Sequence, residues 1–316
     1  MFYGACALCG HLYNNKIEHE YRARILNEME HEFIMERLGY YNGKFGPLEE
    51  MTVPFLDRVS FYGDGVYDAT MGIDGVVLFA EDHIDRFFNS CANVEIDPGI
   101  TKEELHKVLS EMLAKVDSPV NFVYWQVTRG TDYRHHYFCE GPANLWIMIV
   151  PDVMEDLYDR QQLISVDDIR FQMCNTKTLN LLPNVLAAQR TKEADCYEAV
   201  FVRDGFVTEC AHSNVHMLKD GKFITHPADN HILPGIARKH LIQACLALEI
   251  PVEERLYTLD ELYDADEVIV TSSSTLCLPI DKLNNKSVGG KDEALLDKLR
   301  KYVMDECASY VQERRA

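Results

Sequence analysis

The chain is poor in positive charge. Lysine and arginine number 31 against 51 aspartates and glutamates, a formal charge of −20. A chain this acidic is repelled by nucleic-acid phosphates and by anionic membrane faces. The sign therefore points to small substrates, with no nucleic acid and no membrane as partner. Long apolar runs are missing as well. The longest candidate, Asn144 to Pro151 (NLWIMIVP), has the length of a strand and falls far short of the roughly 20 residues of a membrane helix. The first ten residues, MFYGACALCG, lack a basic leader and a full apolar core, which speaks against a secretory signal. Neither an internal repeat nor a low-complexity tract is present. The ten cysteines follow no regular pattern, in a chain too long to need disulfide staples. They are expected to be reduced and mostly buried, in a cytoplasmic protein. Cys6 and Cys9 have CxxC spacing, with His11 and His19 nearby, but there is no second CxxC, and we assign no metal site.

What is present is ordinary globular composition. Apolar residues make up 47% and charged residues 26%, which excludes wholesale disorder. A chain of 316 residues holds one large domain or two ordinary ones. Ile17, Tyr21, Ile25, Met29 and Phe33 recur every four residues, and Leu26, Ile34 and Leu38 widen the stripe. That spacing predicts an amphipathic helix over 16–38, stopped by Gly39 and packed on the body of the protein or on a second subunit. A helix pattern runs through Ile84, Phe87, Phe88 and Cys91. Thr101 with Glu104, and Thr258 with Glu261, form capping boxes; the first opens a helix from Lys102 to about Val116. Val120–Arg129 and Asn144–Val150 read as strands. Asp204-Gly205 and Asp220-Gly221 each sit between apolar runs and predict hairpins. Pro234-Gly235 opens a helix to about Leu248, and Glu267–Thr271 is a short strand that empties into a run of hydroxyls. The class is α+β, with mixed α and β elements. The expected division is an extension over 1–38, a small α/β domain over 39–153, a larger α/β domain over 154–290 and a final helix over 291–316. The polar, acidic stretch Pro151–Arg160 joins the two domains.

Three segments could hold chemistry. The turn Pro234-Gly235-Ile236-Ala237-Arg238 leads into a helix. Free backbone N–H groups there make an anion site, or the segment is an ordinary turn. The hydroxyls of Thr271–Thr275 at a strand's end suit phosphate oxygens, or form a solvated loop. Arg134-His135-His136 could clamp a carboxylate, or lie on the surface. Nothing in spacing or composition separates Lys177 from the other lysines.

Taken in order, five segments resemble a known family. They are Phe61-Tyr62-Gly63-Asp64-Gly65-Val66-Tyr67-Asp68, His83-Ile84-Asp85-Arg86, Lys177-Thr178-Leu179-Asn180, Thr208-Glu209 with Ser213-Asn214-Val215, and Gly235-Ile236-Ala237-Arg238. They resemble the class IV (fold type IV) pyridoxal-phosphate aminotransferases over roughly residues 39–290. Arg129-Gly130-Thr131 followed by Arg134 and His136 is similar to the D-amino acid transaminases within that family. Branched-chain aminotransferases and aminodeoxychorismate lyases share the fold and the cofactor.

The resemblance implies roles. Lys177 matches the lysine that holds pyridoxal 5′-phosphate as a Schiff base and then moves the proton. Glu209 matches the carboxylate that keeps the pyridine nitrogen protonated. Arg86, the amides of Ile236 and Ala237, and Ser273 match the phosphate cradle. Tyr67 lines the site, and Ser274 faces the substrate. Arg134 and His136 match a trap for the substrate carboxylate that reaches across from the partner of a homodimer. The implied reaction is a two-stage transfer from a D-amino acid to a 2-oxo acid. Three departures stand out. Asp68 replaces a common Glu, Ser273 and Ser274 replace threonines, and Cys210-Ala211-His212-Ser213 is less rich in serine. His212 is expected to alter the hydrogen bonding under the ring.

Overall fold

The computed structural model describes residues 36–315. The expected helix over 16–38 and the Cys6–Cys9 pair lie outside the described residues, except for the helix's last residues. Those last residues correct the expectation. Leu38 is fully buried and opens a strand, β1 (Leu38–Tyr41), so it does not belong to a helical stripe. Gly39, expected to stop the helix, pairs within that strand opposite Met148. The strand ladder satisfies backbone groups that a helix end would have left free.

The first sheet is antiparallel. It contains β1, β2 (Lys44–Pro47), β3 (Gly65–Ile73), β4 (Val76–Val77), β5 (Val120–Thr128) and β6 (Asn144–Pro151), in the order β2-β1-β6-β5-β3-β4. A short α1 (Val59–Tyr62) leads into β3 and ends at Gly63. Between β4 and β5 run α2 (Ala80–Asn93) and α3 (Lys102–Leu113). The Thr101–Glu104 capping box is formed with both hydrogen bonds. One face of this sheet packs Trp125, Val123 and Ile147 against Ile84, Phe87, Leu105 and Leu109 from the two helices. Burying each large apolar side chain contributes about 1.5–3 kcal/mol.

The acidic stretch after Pro151 leads from β6 to the first strand of the second sheet. That sheet holds β7 (Gln161–Asp167), β8 (Glu198–Arg203), β9 (Phe206–Cys210), β10 (Asn214–Lys219), β11 (Lys222–Thr225), β12 (Val252–Glu254), β13 (Glu267–Thr271), β14 (Leu278–Leu283) and β15 (Lys286–Ser287). Their order is β12-β11-β10-β13-β14-β7-β8-β9, with β15 beside β14. Both Asp-Gly hairpins are present, and each aspartate adopts the positive φ that the turn demands. β7 and β8 are parallel, joined through α4 (Leu182–Glu193). Lys177 lies in the segment that leads from β7 to α4.

Three more helices complete the chain: α5 (Ile236–Ala247), the short α6 (Leu259–Asp264) and α7 (Glu293–Arg314). The largest cluster joins the two halves. Met71 of β3, with Leu78 and Phe79 just after β4, packs with Leu241 and Ala244 of α5 and with Leu299 and Val303 of α7. The last helix is therefore part of the core. Among the described residues no helix is long and apolar enough to cross a membrane.

Candidate active site

A cavity of about 450 Å³ opens between the two sheets. Tyr67, Arg86, Lys177, Glu209, Ile236, Ala237, Ser273 and Ser274 all line it. Arg134 and His136 do not. They lie against Tyr62, the guanidinium 5.2 Å and the imidazole 5.4 Å from its ring centre. One chain alone does not bring that pair to the cavity.

Lys177 is held by its backbone. Its carbonyl accepts a bond from Tyr67 N at 2.9 Å, and Leu179 N donates to Gly65 O at 3.0 Å. The lysine segment thus runs along the start of β3. Gly65 permits this approach, because a Cβ there would sit 2.8 Å from Leu179 and 2.5 Å from the carbonyl of Val127. The Lys177 amine lies 4.3 Å from the centre of the Tyr67 ring, which stacks on Tyr124. The residue is half-buried and lines the cavity.

Glu209 is the penultimate residue of β9 and is buried. One carboxylate oxygen accepts from Asn214 at 2.9 Å and from Leu233 N at 3.0 Å. The other accepts from Arg170 at 2.5 Å. Burial pushes this carboxyl up to about 7, against the pull of Arg170 and of Lys177. Arg170 in turn makes a two-pronged contact with Asp168, at 2.9 Å on both sides. Arg203 also reaches Asp168, at 3.0 Å. Burial alone would raise Asp168, but the two arginines hold it down to about 2. The sequence reading missed Asp168, Arg170 and Arg203, and it quoted Asn214 in a segment without giving it a role. Asp168 and Arg170 stand two apart just after β7, but two residues at that spacing mark no motif by themselves.

The phosphate candidates also assemble. Arg86 donates to both oxygens of the fully buried Asp68, at 2.8 and 2.7 Å, and His83 bonds the same carboxylate at 2.8 Å. Burial opposes the charge on Asp68, yet Arg86 and His83 hold it well below the usual carboxylate range. The replacement of a longer acid by Asp68 therefore keeps the arginine anchored. The guanidinium also approaches Pro234 O, at 3.4 Å, beside the start of α5. That helix has no side-chain cap at Gly235, so its first N–H groups are available to an anion. The Ser273 hydroxyl donates to Ala69 O at 3.2 Å and keeps its lone pairs for other donors. His212 also lines the cavity. Its backbone N–H donates to Glu198 at 2.5 Å, and its ring nitrogen lies 3.1 Å from the Ser213 hydroxyl.

These groups fit a ligand with a phosphate, a protonatable ring nitrogen and a carbonyl carbon. Cation, amides and hydroxyls face the first. An otherwise costly buried carboxylate faces the second. The Lys177 amine, the one lysine amine of the lining among the described residues, suits the third.

Comparison with known proteins gives the family. A sequence model of the family described as "Amino-transferase class IV" matches residues 65–283. The chain is 36% identical over 254 residues to a D-alanine aminotransferase of Staphylococcus haemolyticus, covering 79% of this chain and 90% of that one. It is 35% identical over 265 residues to the D-alanine aminotransferase of Listeria monocytogenes, covering 82% and 92%. The fold is similar to that of the branched-chain aminotransferase of Thermoproteus uzoniensis, with a TM-score of 0.78 at 21% identity over 87% of this chain and 97% of that one. The branched-chain enzyme of Escherichia coli superposes with a TM-score of 0.77 at 19% identity, over 86% and 95%. The mixed α and β architecture is that of fold type IV, and the chain belongs to the class IV aminotransferases.

Proposed function

We propose that this aminotransferase moves the amino group of a D-amino acid such as D-alanine to a 2-oxo acid such as 2-oxoglutarate, with pyridoxal 5′-phosphate as its cofactor. The observation that carries the reading is the shared cavity of Lys177 and Glu209, with Arg86 and the uncapped start of α5 on the same wall. The names of its relatives support the D-amino acid substrate.

When bound, pyridoxal 5′-phosphate supplies a carbonyl that takes up the amino group and a ring that draws electrons from the substrate Cα. The residues of the chain do the rest. Arg86, the amides of Ile236 and Ala237, and Ser273 would hold the phosphate. Glu209, whose charge Arg170 favours, would pair with the ring nitrogen and keep its proton. Lys177 would hold the carbonyl carbon and would move the proton at the substrate Cα. Tyr67 limits the motion of the amine, and Ser274 bounds the substrate space. The same cavity serves both halves of the reaction.

The proposed working form is a homodimer in which Arg134 and His136 of the second copy bind the substrate carboxylate. The exposed rings of Tyr133, Tyr137 and Phe138 on the same loop support such an interface. The division into domains over 39–153 and 154–290 is part of this reading, with the cavity between them. The eight described cysteines are all free thiols, which supports a cytoplasmic setting.

The experiment is turnover of purified protein with D-alanine and 2-oxoglutarate, set against L-alanine and branched-chain L-amino acids. Turnover with the D-substrate is expected. Activity confined to L-substrates would move the chain to the branched-chain group, and pyruvate release from aminodeoxychorismate would make it a lyase.

A further inference from the structure

The loop between β11 and α5 gathers two imidazoles and a carboxylate. His226, Asp229 and His231 bring one nitrogen or oxygen each to within 4.8 Å of one another. We propose that these three residues bind a divalent transition-metal ion of the zinc type, outside the catalytic cavity. The inference does not depend on which substrate the enzyme uses.

The distances carry the argument. Asp229 Oδ2 lies 3.3 Å from His226 Nε2 and 3.3 Å from His231 Nδ1. A charge-assisted hydrogen bond between such groups closes to about 2.7–2.9 Å. Two ligand atoms on a tetrahedral ion, each roughly 2.0–2.1 Å from the metal, stand roughly 3.3 Å apart. Both contacts have the second length. The rings of His226 and His231 stand at 89° to each other, so their edges converge on the carboxylate without stacking.

The hydrogen-bond roles agree. His226 Nδ1 lies 2.8 Å from the carbonyl of Val207. A carbonyl accepts only, so Nδ1 must carry the proton. In the neutral ring Nε2 then turns a lone pair toward Asp229. Two acceptors face each other, and a cation between them satisfies both. A ring nitrogen that donates to a backbone carbonyl is the usual outer support of a metal-binding histidine. Asp229 is divided in the same sense. Its Oδ1 accepts from His231 N at 2.8 Å, which leaves Oδ2 for the ion.

Burial sets the access. The His226 side chain is 3% exposed, while Asp229 and His231 are 37% and 29% exposed. An ion would reach the site from solvent and keep water in its remaining positions. The two arginines nearby do not compete for it. Arg238 and Arg170 donate to the carbonyls of His226 and His231, and each is paired with its own carboxylates. Imidazole and carboxylate ligands favour zinc, with cobalt, nickel and copper as competitors.

The site sits behind the catalytic wall. The carbonyl of His231 accepts from Arg170, and Leu233, two residues on, donates to Glu209. An ion here would pin the loop that supports the ring-facing carboxylate.

Equilibrium dialysis of the full-length protein against Zn²⁺, followed by metal analysis, tests the proposal. Cys6→Ser and Cys9→Ser are made first, so that those thiols add no site. About one Zn²⁺ per chain is expected, with Asp229→Asn and His231→Ala each weakening binding by about tenfold or more. His106→Ala, on an exposed face of α3, should leave binding unchanged. Added Zn²⁺ should raise the Tm of the parent but not of the two loop variants, while unaltered far-ultraviolet circular dichroism shows that these still fold. No uptake by the parent, or equal uptake by parent and loop variants, would overturn the site and leave Asp229 as a plain partner of two imidazolium rings.

Discussion

Arg170 reaches Glu209 at 2.5 Å with one edge of its guanidinium and grips Asp168 with the other. The charged form of this buried carboxylate is therefore favoured by an arginine that is itself fixed. Arg170→Ala should leave Glu209 with Asn214 and Leu233 N alone, and burial would then favour its protonated form. We expect kcat to fall about tenfold to hundredfold, the loss typical of groups that orient a functional side chain, with KM for D-alanine little changed. Arg170→Lys should recover part of the loss. An unchanged kcat in Arg170→Ala would show that Glu209 needs no such partner.

The position of Arg134, against Tyr62 and off the cavity wall, makes the dimer testable by mixing. Lys177→Ala should remove nearly all turnover, because among the described residues no other lysine lines the cavity. Arg134→Ala should raise KM while the cofactor stays bound. Hybrid dimers of the two variants contain one site with an intact Lys177 and an Arg134 donated by the neighbour. Refolding or subunit exchange of the mixture should restore wild-type KM in that site. If the mixture behaves as the sum of its parts, Arg134 acts within its own chain or not at all.

Glu209 also links stability to pH in the cofactor-free protein. Its folded value of about 7 exceeds its ordinary 4.5. A carboxyl raised in this way binds its proton more tightly when folded. The stability it lends is complete below pH 4.5 and is lost as pH rises to 7. Asp168 acts in the opposite direction. Its folded value of about 2 lies below the ordinary 3.8, so its contribution is present above 3.8 and is lost toward pH 2. Denaturant melts across this range should show stability falling from about pH 5 to about pH 8, and Glu209→Gln should flatten that slope. Parallel curves for the two proteins would refute the assignment.

The elements most legible in the sequence were those written in neighbouring residues. The Thr101 and Thr258 capping boxes and the turns at Asp204 and Asp220 each depend on residues within four positions. The same turn signal at Asp74-Gly75 escapes the reading because β4 is two residues long. The parallel strand β7 escapes because its half-buried residues show neither clean alternation nor a solid apolar run. Lys177, Glu209 and Arg86 were legible only through resemblance, since each is made special by partners far along the chain. Arg170 and Glu209 are 39 residues apart, and Arg86 and Pro234 are 148 apart. No local pattern records such pairs. The candidate anion site at α5 needs both kinds of signal, a local turn and a distant arginine.

Gly235 is where these long-range demands meet a single hydrogen atom. Its φ of −62° suits any residue, so backbone strain does not require glycine here. Space does. A Cβ would lie 2.1 Å from Asn214 Oδ1, and Asn214 donates to both Glu209 and the carbonyl of Leu233. Gly235→Ala must push Asn214 aside and break those bonds, at a cost of about 1–3 kcal/mol. The substitution should lower the Tm and weaken cofactor binding. The decisive measurement is a double-mutant cycle. If Asn214 is what the new methyl strikes, Asn214→Ala combined with Gly235→Ala should cost little more than Asn214→Ala alone. Additive losses would mean that the alanine acts elsewhere, on the free amides at the start of α5 and not through Asn214 on the carboxylate of Glu209.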